Sequence, residues 1–254
     1  MHQSTYILLA VSIFCFSCTF EETELIDSGD TSSAGGDETG SGDDIGSGND
    51  TMLRECNFAW PEENFDDNVL DTRWLTVASP GFAVEETNEA LSLSLGQNEE
   101  WSQVGIRSAV SVDFTNKQVS LKILDVPISS SSTQAHFSLY DFGSDGYFSL
   151  VLMNGSLRFI YRDPPNGGWE TLGTTVFDPT VHVYWQLRHQ GETLTAEVST
   201  DSISFSPIGS VNIKDQQNKI IEDSTLYIRS VTTELVEEAG HFVIDDINVD
   251  THCE

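Results

Sequence analysis

The stretch from Val181 to Val211, VHVYWQLRHQGETLTAEVSTDSISFSPIGSV, constrains the fold more than any other part of the chain. Val181, Val183, Trp185 and Leu187 share one parity, while His182, Tyr184, Gln186 and Arg188 share the other, which is the period of two of a half-buried strand. A turn is expected at Gln190 and Gly191. Beyond it Leu194, Ala196 and Val198 alternate with Thr193, Thr195 and Glu197, so a second strand folds back and covers the same core face.

Similar short runs predict strands at Phe82–Glu86, Ala90–Leu95, Gln103–Arg107, Gln118–Val126, Ala135–Asp141, Tyr147–Met153, Leu157–Arg162, Trp169–Thr174, Phe205–Val211, Leu226–Val231 and His241–Val249. Asp145-Gly146, Asn154-Gly155 and the run Pro164 to Gly168 supply turn chemistry between them. No stretch keeps a 3.6-residue period over several turns. Many short strands at regular spacing, with no second linker, predict one all-β domain, a two-sheet antiparallel sandwich over residues 56–254.

The segment before that domain has another character. Tyr6 to Ser17 is an apolar run too short to span a bilayer comfortably, and it reads as the hydrophobic region of a secretory signal over residues 1–17, although its leading MHQST lacks Lys and Arg. Ser17-Cys18 resembles a bacterial lipobox, with Cys15 where Leu is usual, and the resemblance implies lipidation of Cys18 and an outer-membrane or cell-surface location. An ordinary signal releasing a soluble secreted protein is the alternative. Residues 18–55 are rich in Gly, Ser and Asp and too poor in large apolar side chains to offset chain entropy, so they read as a self-repelling tether.

Acidity narrows the choice of partners. The chain has 41 Asp and Glu against 11 Lys and Arg, and the tether accounts for only eleven of the acids and one base, leaving 30 acids and ten bases from Cys56 onward. Such a field repels phosphate backbones and anionic lipid, so nucleic acid is not an expected partner and membrane contact is expected only through a lipid anchor. With Cys15 in the signal and Cys18 the lipid candidate, Cys56 and Cys253 remain at the two ends of the domain. In an oxidising compartment they are expected to form a disulfide contributing about 4 kcal/mol in the chain-entropy picture.

The hairpin also carries a resemblance. Tyr184, Trp185 and Arg188, the turn at Gly191, then Ser199, Asp201 and Phe205 are similar to a pattern of concanavalin A-like lectin and glucanase domains. Asn64 to Trp74 (NFDDNVLDTRW) resembles the opening of such domains and His241 to Val249 (HFVIDDINV) their closing strand; Ser202 departs from the glycine often found there. The resemblance implies a jelly roll of two curved antiparallel sheets and, by analogy, carbohydrate recognition. Laminarinase-like members carry Glu-x-Asp-x-Glu on one strand, where alternation points three carboxylates into the cleft. That motif is absent here, and neighbours such as Glu85-Glu86 or Asp245-Asp246 are expected on opposite faces.

Other chemistries have little support. His136, His182, His189, His241 and His252 are scattered singly without zinc spacing, and read as surface or edge residues. Asp141 to Gly146 lacks the ligands of a calcium loop and reads as a hairpin turn. Asp245 and Asp246 are the candidate calcium ligands. Sugar binding asks for exposed aromatic rings beside planar polar groups, and Trp169, with Tyr161 and Arg162 nearby, is the first candidate, followed by Trp101 and Tyr147. Trp74 and Trp185 occupy core positions. The sequence therefore points to an exported, lipid-anchored, non-catalytic module for carbohydrate or a surface protein; a divergent polysaccharide hydrolase or lyase and a structural envelope protein are the alternatives.

Overall fold

Alternation of apolar and polar side chains is satisfied almost throughout by antiparallel pairing. The structure, a computed structural model, describes residues 57–96, 101–127, 132–163, 167–214, 217–234 and 240–249. Cys18, Cys56, Cys253 and His252 lie outside the described residues, and with them the signal, the tether and the expected disulfide. The strands are β1 (Trp74–Ala78), β2 (Ala83–Thr87), β3 (Ala90–Ser94), β4 (Ser102–Ser108), β5 (Gln118–Asp125), β6 (Thr133–Asp141) and β7 (Gly146–Met153). They continue with β8 (Ser156–Arg162), β9 (Trp169–Val176), β10 (Tyr184–Gln190), β11 (Thr193–Ser199), β12 (Ser206–Asn212), β13 (Thr225–Thr232) and β14 (His241–Ile247). A short helix, α1 (Asn218–Glu222), precedes β13 and buries Ile220 and Ile221.

Hydrogen bonding runs in the order β1-β4-β13-β6-β7-β8-β9-β12-β11-β10-β5-β14-β3-β2. The first seven strands form one layer and the last seven the other, with the main core between them. One layer contributes Val104, Ile106, Phe137, Leu139, Phe148, Leu150, Phe159 and Ile228, and the other Leu91, Leu93, Leu121, Trp185, Leu187, Leu194, Phe242 and Ile244. This is a jelly-roll sandwich. The layers join where β9 meets β12 through a single residue pair, Gly173 and Gly209. A Cβ on Gly173 would lie 2.3 Å from the Ile208 carbonyl oxygen, and one on Gly209 2.7 Å from that of Leu172, so the seam closes because neither residue has a side chain.

The predicted hairpin is β10 and β11, pairing Trp185 with Val198 and Leu187 with Ala196. Its two-residue turn is Gly191-Glu192 rather than Gln190-Gly191, and Gly191 takes the positive φ of 62° that this connection requires. Val181 and Val183 precede the strand, and Val181 is exposed. Asp141 to Gly146 is the expected hairpin connection, with the Asp141 carboxylate accepting from the Gly143 amide at 2.7 Å. The sequence reading missed β1, where Leu75 to Ala78 shows no one-sided burial beyond Trp74.

One feature of the first layer positions everything below. Strands β6 and β7 are buried on both faces nearly along their whole lengths, and β13 and β8 for most of theirs. Their second face packs Tyr140, Tyr147, Val151, Ile160 and Tyr227 into a separate apolar cluster, with Val77 and Met153 at its margin.

Candidate functional site

That second face, turned away from the main core, is where polar chemistry collects. Register places Gln103, Gly105 and Arg107 of β4 beside Val231, Arg229 and Tyr227 of β13. Next come Gln134, His136, Ser138 and Tyr140 of β6, then Tyr147, Ser149 and Val151 of β7 and Arg162, Ile160 and Arg158 of β8. Trp169 of β9 pairs with Arg162. A depression of about 300 Å³ lies on this face, lined by Trp101, Gln103, Gln134, His136, Tyr147, Arg162, Trp169 and Arg229, with Val231 and Thr233 at one side.

Aromatic rings form a run along it. Trp169 meets Tyr147 edge-on at 6.3 Å, Tyr147 stacks on Tyr140 at 5.4 Å, and Tyr140 contacts Phe142 and Tyr227 at 4.5 and 6.0 Å. Trp101 is 72% exposed and Trp169 51%, so the two indoles stand out from a buried floor. Trp101 also takes a φ of 60°, a left-handed conformation uncommon for a bulky residue. Guanidinium groups lie over these rings: Arg229 over Tyr227 at 4.8 Å, Arg162 over Tyr147 at 5.9 Å and Arg107 over Phe142 at 4.7 Å.

The polar groups of the floor hold one another. Gln103 Oε1 accepts from Arg229 Nη1 at 3.0 Å and from the Tyr227 hydroxyl at 3.2 Å, which fixes both and leaves the Gln103 amide nitrogen as a donor. His136 Nε2 lies 2.9 Å from Gln134 Oε1; an amide oxygen can only accept, so Nε2 carries the proton and Nδ1 presents a lone pair. Nδ1 has no partner among the described residues, and neither do the Nε atoms of Arg162 and Arg229. Burial, reinforced by the Arg229 charge, holds His136 well below the ordinary imidazole range, so it is neutral at pH 7. Burial likewise pushes the Tyr147 phenol up, against the pull of Arg229 and Arg162. The Tyr140 hydroxyl is also raised, by burial and then by its hydrogen bond to the Asp145 carboxylate.

The neutral imidazole has a measurable consequence. His136 resists protonation only when folded, so below about pH 6.5 the unfolded chain binds more protons and stability falls with pH. Each such histidine contributes a slope of up to about 1.4 kcal/mol per pH unit, and His182 and His189, also lowered chiefly by burial, act in the same direction. Urea midpoints should drop between about pH 7.5 and about pH 5 in the parent chain and drop less steeply in His136→Gln. Equal slopes in the two proteins would contradict this assignment.

Four of the five aromatic and basic candidates come together here: Trp169, Arg162, Tyr147 and Trp101. Tyr161 does not join them. Alternation turns it to the opposite face, where it stacks on Phe148 at 4.9 Å in the main core. His136, His182 and His189 are buried rather than at the surface or an edge, His136 to 2% exposure; His241 alone of the described histidines is exposed, bonded to Ser94 Oγ at 2.9 Å. Asp245 and Asp246 do not take opposite sides. The register of β14 on β5 slips between Ile244 and Ile247, and both carboxylates reach the Lys122 ammonium, Asp245 in a short hydrogen bond and Asp246 at 3.6 Å. A cation of the chain thus already occupies the place proposed for calcium, and among the described residues no cluster of three or more His, Cys, Asp and Glu side chains could hold a metal.

Gln103, Gln134 and Arg229 line the depression without having been singled out in the sequence, and His136 was read there as a surface or edge residue. The signal lay in β6, where Gln134, His136, Ser138 and Tyr140 occupy every second position against Ala135, Phe137 and Leu139. Asp141, on the core parity at the end of β6, is the lone carboxylate in β4, β13, β6, β7 and β8. Among the described strands the floor therefore offers no acidic pair.

No known sequence family matches the chain. No characterised protein matches it in sequence either. Solved structures do share its fold. The catalytic domain of an endo-1,3-β-glucanase (laminarinase) from Thermotoga petrophila superposes with a TM-score of 0.55 at 8% identity, covering 76% of this chain and 97% of that one. A non-specific endo-β-1,3(4)-glucanase of family GH16 gives 0.59 at 7% identity, covering 76% and 90%. The CBM2 module of the evolved Dit protein of Lactobacillus casei phage J-1 gives 0.51 at 12%, covering 75% and 96%. The architecture is the concanavalin A-like jelly roll that the sequence resembles.

Proposed function

We propose that the domain binds a glycan on the open face of β13, β6, β7 and β8 without cleaving it, as a module held outside the cell by a lipid on Cys18 and the acidic tether. The observation that carries this reading is the pair of exposed tryptophans, Trp101 and Trp169, beside a depression floored by amides, a tyrosine and arginines. Pyranose C–H groups stack on indole faces, and amide and guanidinium groups bond sugar hydroxyls in their plane. Glycoside hydrolysis by two carboxylates needs an acid and a base or nucleophile across the scissile bond, and the five central strands present neither on this face. The laminarinase and the GH16 glucanase that share the fold support a polysaccharide as the ligand class.

A glycan array followed by titration calorimetry on the exported chain tests the reading. Trp169→Ala should weaken binding by about tenfold or more, roughly 1.4 kcal/mol, with the melting temperature unchanged because the ring is half exposed. Absence of binding across the array, or binding indifferent to both Trp169→Ala and Trp101→Ala, would overturn it. Release of reducing ends from a bound glycan would make the domain a hydrolase instead.

A further inference from the structure

The open face departs from the rest of the molecule in charge. From Cys56 onward acids outnumber bases by 30 to ten, yet Arg107, Arg158, Arg162 and Arg229 rise from β4, β8 and β13 on a face to which those strands and β6 and β7 contribute no carboxylate. On other surfaces arginine and lysine hold acids: Arg73 pairs with Glu63 and Asp71, Lys122 with Asp245 and Asp246, and Arg188 with Glu197. Arg229 has no carboxylate within ion-pair distance among the described residues. It is oriented instead by a neutral acceptor, Gln103 Oε1, and by the Tyr227 ring, so its position is fixed while its charge is left uncompensated. Arg162 has one acidic partner, the exposed Asp145, at 3.2 Å.

Resting on the glycan-binding reading above, we infer that the ligand is an acidic polysaccharide whose sugar carboxylate or sulfate is held by Arg229 and Arg162 while a neighbouring ring stacks on Trp169. A guanidinium offers parallel N–H donors that match the oxygens of either anion, and pre-orientation by Gln103, Tyr227 and Tyr147 reduces the side-chain freedom lost on binding. His136 fits the same ligand. It is 2% exposed and neutral, so it floors the depression without adding charge to the face. The overall negative field does not forbid this. At about 0.15 M salt, charges more than about 8 Å from the anion are largely screened, whereas the two arginines act in contact.

The experiment compares three ligands on the same chain: an oligouronide, a sulfated galactan oligosaccharide and a neutral β-1,3-glucan oligosaccharide. Each acidic ligand is also presented carboxyl-reduced or desulfated, which tests charge without altering the protein. The expected result is binding of at least one acidic ligand, weakened about tenfold or more by its neutralisation and by Arg229→Gln or Arg162→Gln, with Arg73→Gln as the indifferent control. Which acidic ligand binds distinguishes carboxylate from sulfate. If the neutral glucan binds as tightly and depends on Trp169, the glycan-binding reading stands and the acidic ligand is overturned. If no glycan binds, both fall.

Discussion

Truncation of Trp185 to alanine is expected to remove about 4 kcal/mol of stability, within the range of about 3–5 kcal/mol for a large aromatic lost from a core. Trp185 has no exposed surface. Its ring contacts Phe242 at 6.1 Å and Phe177 edge-on at 6.3 Å, and its Nε1–H donates to the His182 carbonyl at 3.1 Å. Alanine leaves a cavity between the layers and a buried carbonyl without a donor, and two stacked sheets cannot collapse into such a space without breaking their registers. Trp185→Phe should retain most of the packing and lose about half as much or less. The measurement is the urea midpoint multiplied by an unchanged slope, and a loss below about 1.5 kcal/mol for the alanine variant would show that the layers repack.

The second large effect belongs to the partner strand of the same hairpin. Glu197 is only 5% exposed and is held by two parallel bonds from Arg188, Nε to Oε2 at 3.0 Å and Nη2 to Oε1 at 2.7 Å. Arg188→Met leaves that carboxylate buried without its partner, and the expected loss is about 3–5 kcal/mol. The pair itself contributes far less than this, because two charges lose their hydration when it forms. Replacing both residues, as in Arg188→Met with Glu197→Leu, should therefore restore most of the stability lost in the single variant. A double variant no more stable than Arg188→Met would indicate that strand packing, and not the orphaned charge, sets the cost.

The fold was legible where the apolar side chains of a strand share one parity. Trp185, Leu187, Leu194 and Val198 face one core while Arg188, Thr193 and Thr195 do not, and that contrast survives in the sequence as period two. The open face was harder to read for a physical reason. Gln134, His136, Ser138 and Tyr140 look like a solvated strand face, because the arginine and tyrosine side chains that cover them come from β13, β7 and β8, far away in sequence. Trp169, Arg162, Tyr147 and Trp101 could be selected because tryptophan beside turn residues is informative by itself. Arg229 could not, since its role comes from the strand order. Asp245 and Asp246 were misplaced by a register slip, and no alternation rule foresees a bulge.

The glycine seam between β9 and β12 also governs how the molecule meets its own copies. A sandwich of two separate sheets has four outer strands, each with a row of unpaired amides and carbonyls that can recruit a strand from another molecule. Here, among the described strands, the pairing order continues from β9 to β12 through the one pair Gly173 and Gly209, and β1 and β2 stand at its two ends. Both have five residues, and β2 carries Glu85 and Glu86. Short outer strands, one of them acidic, are poor templates for pairing, and a seam of two residues without side chains brings β9 and β12 edge to edge within one molecule, so less of either edge is left to recruit a strand from another copy.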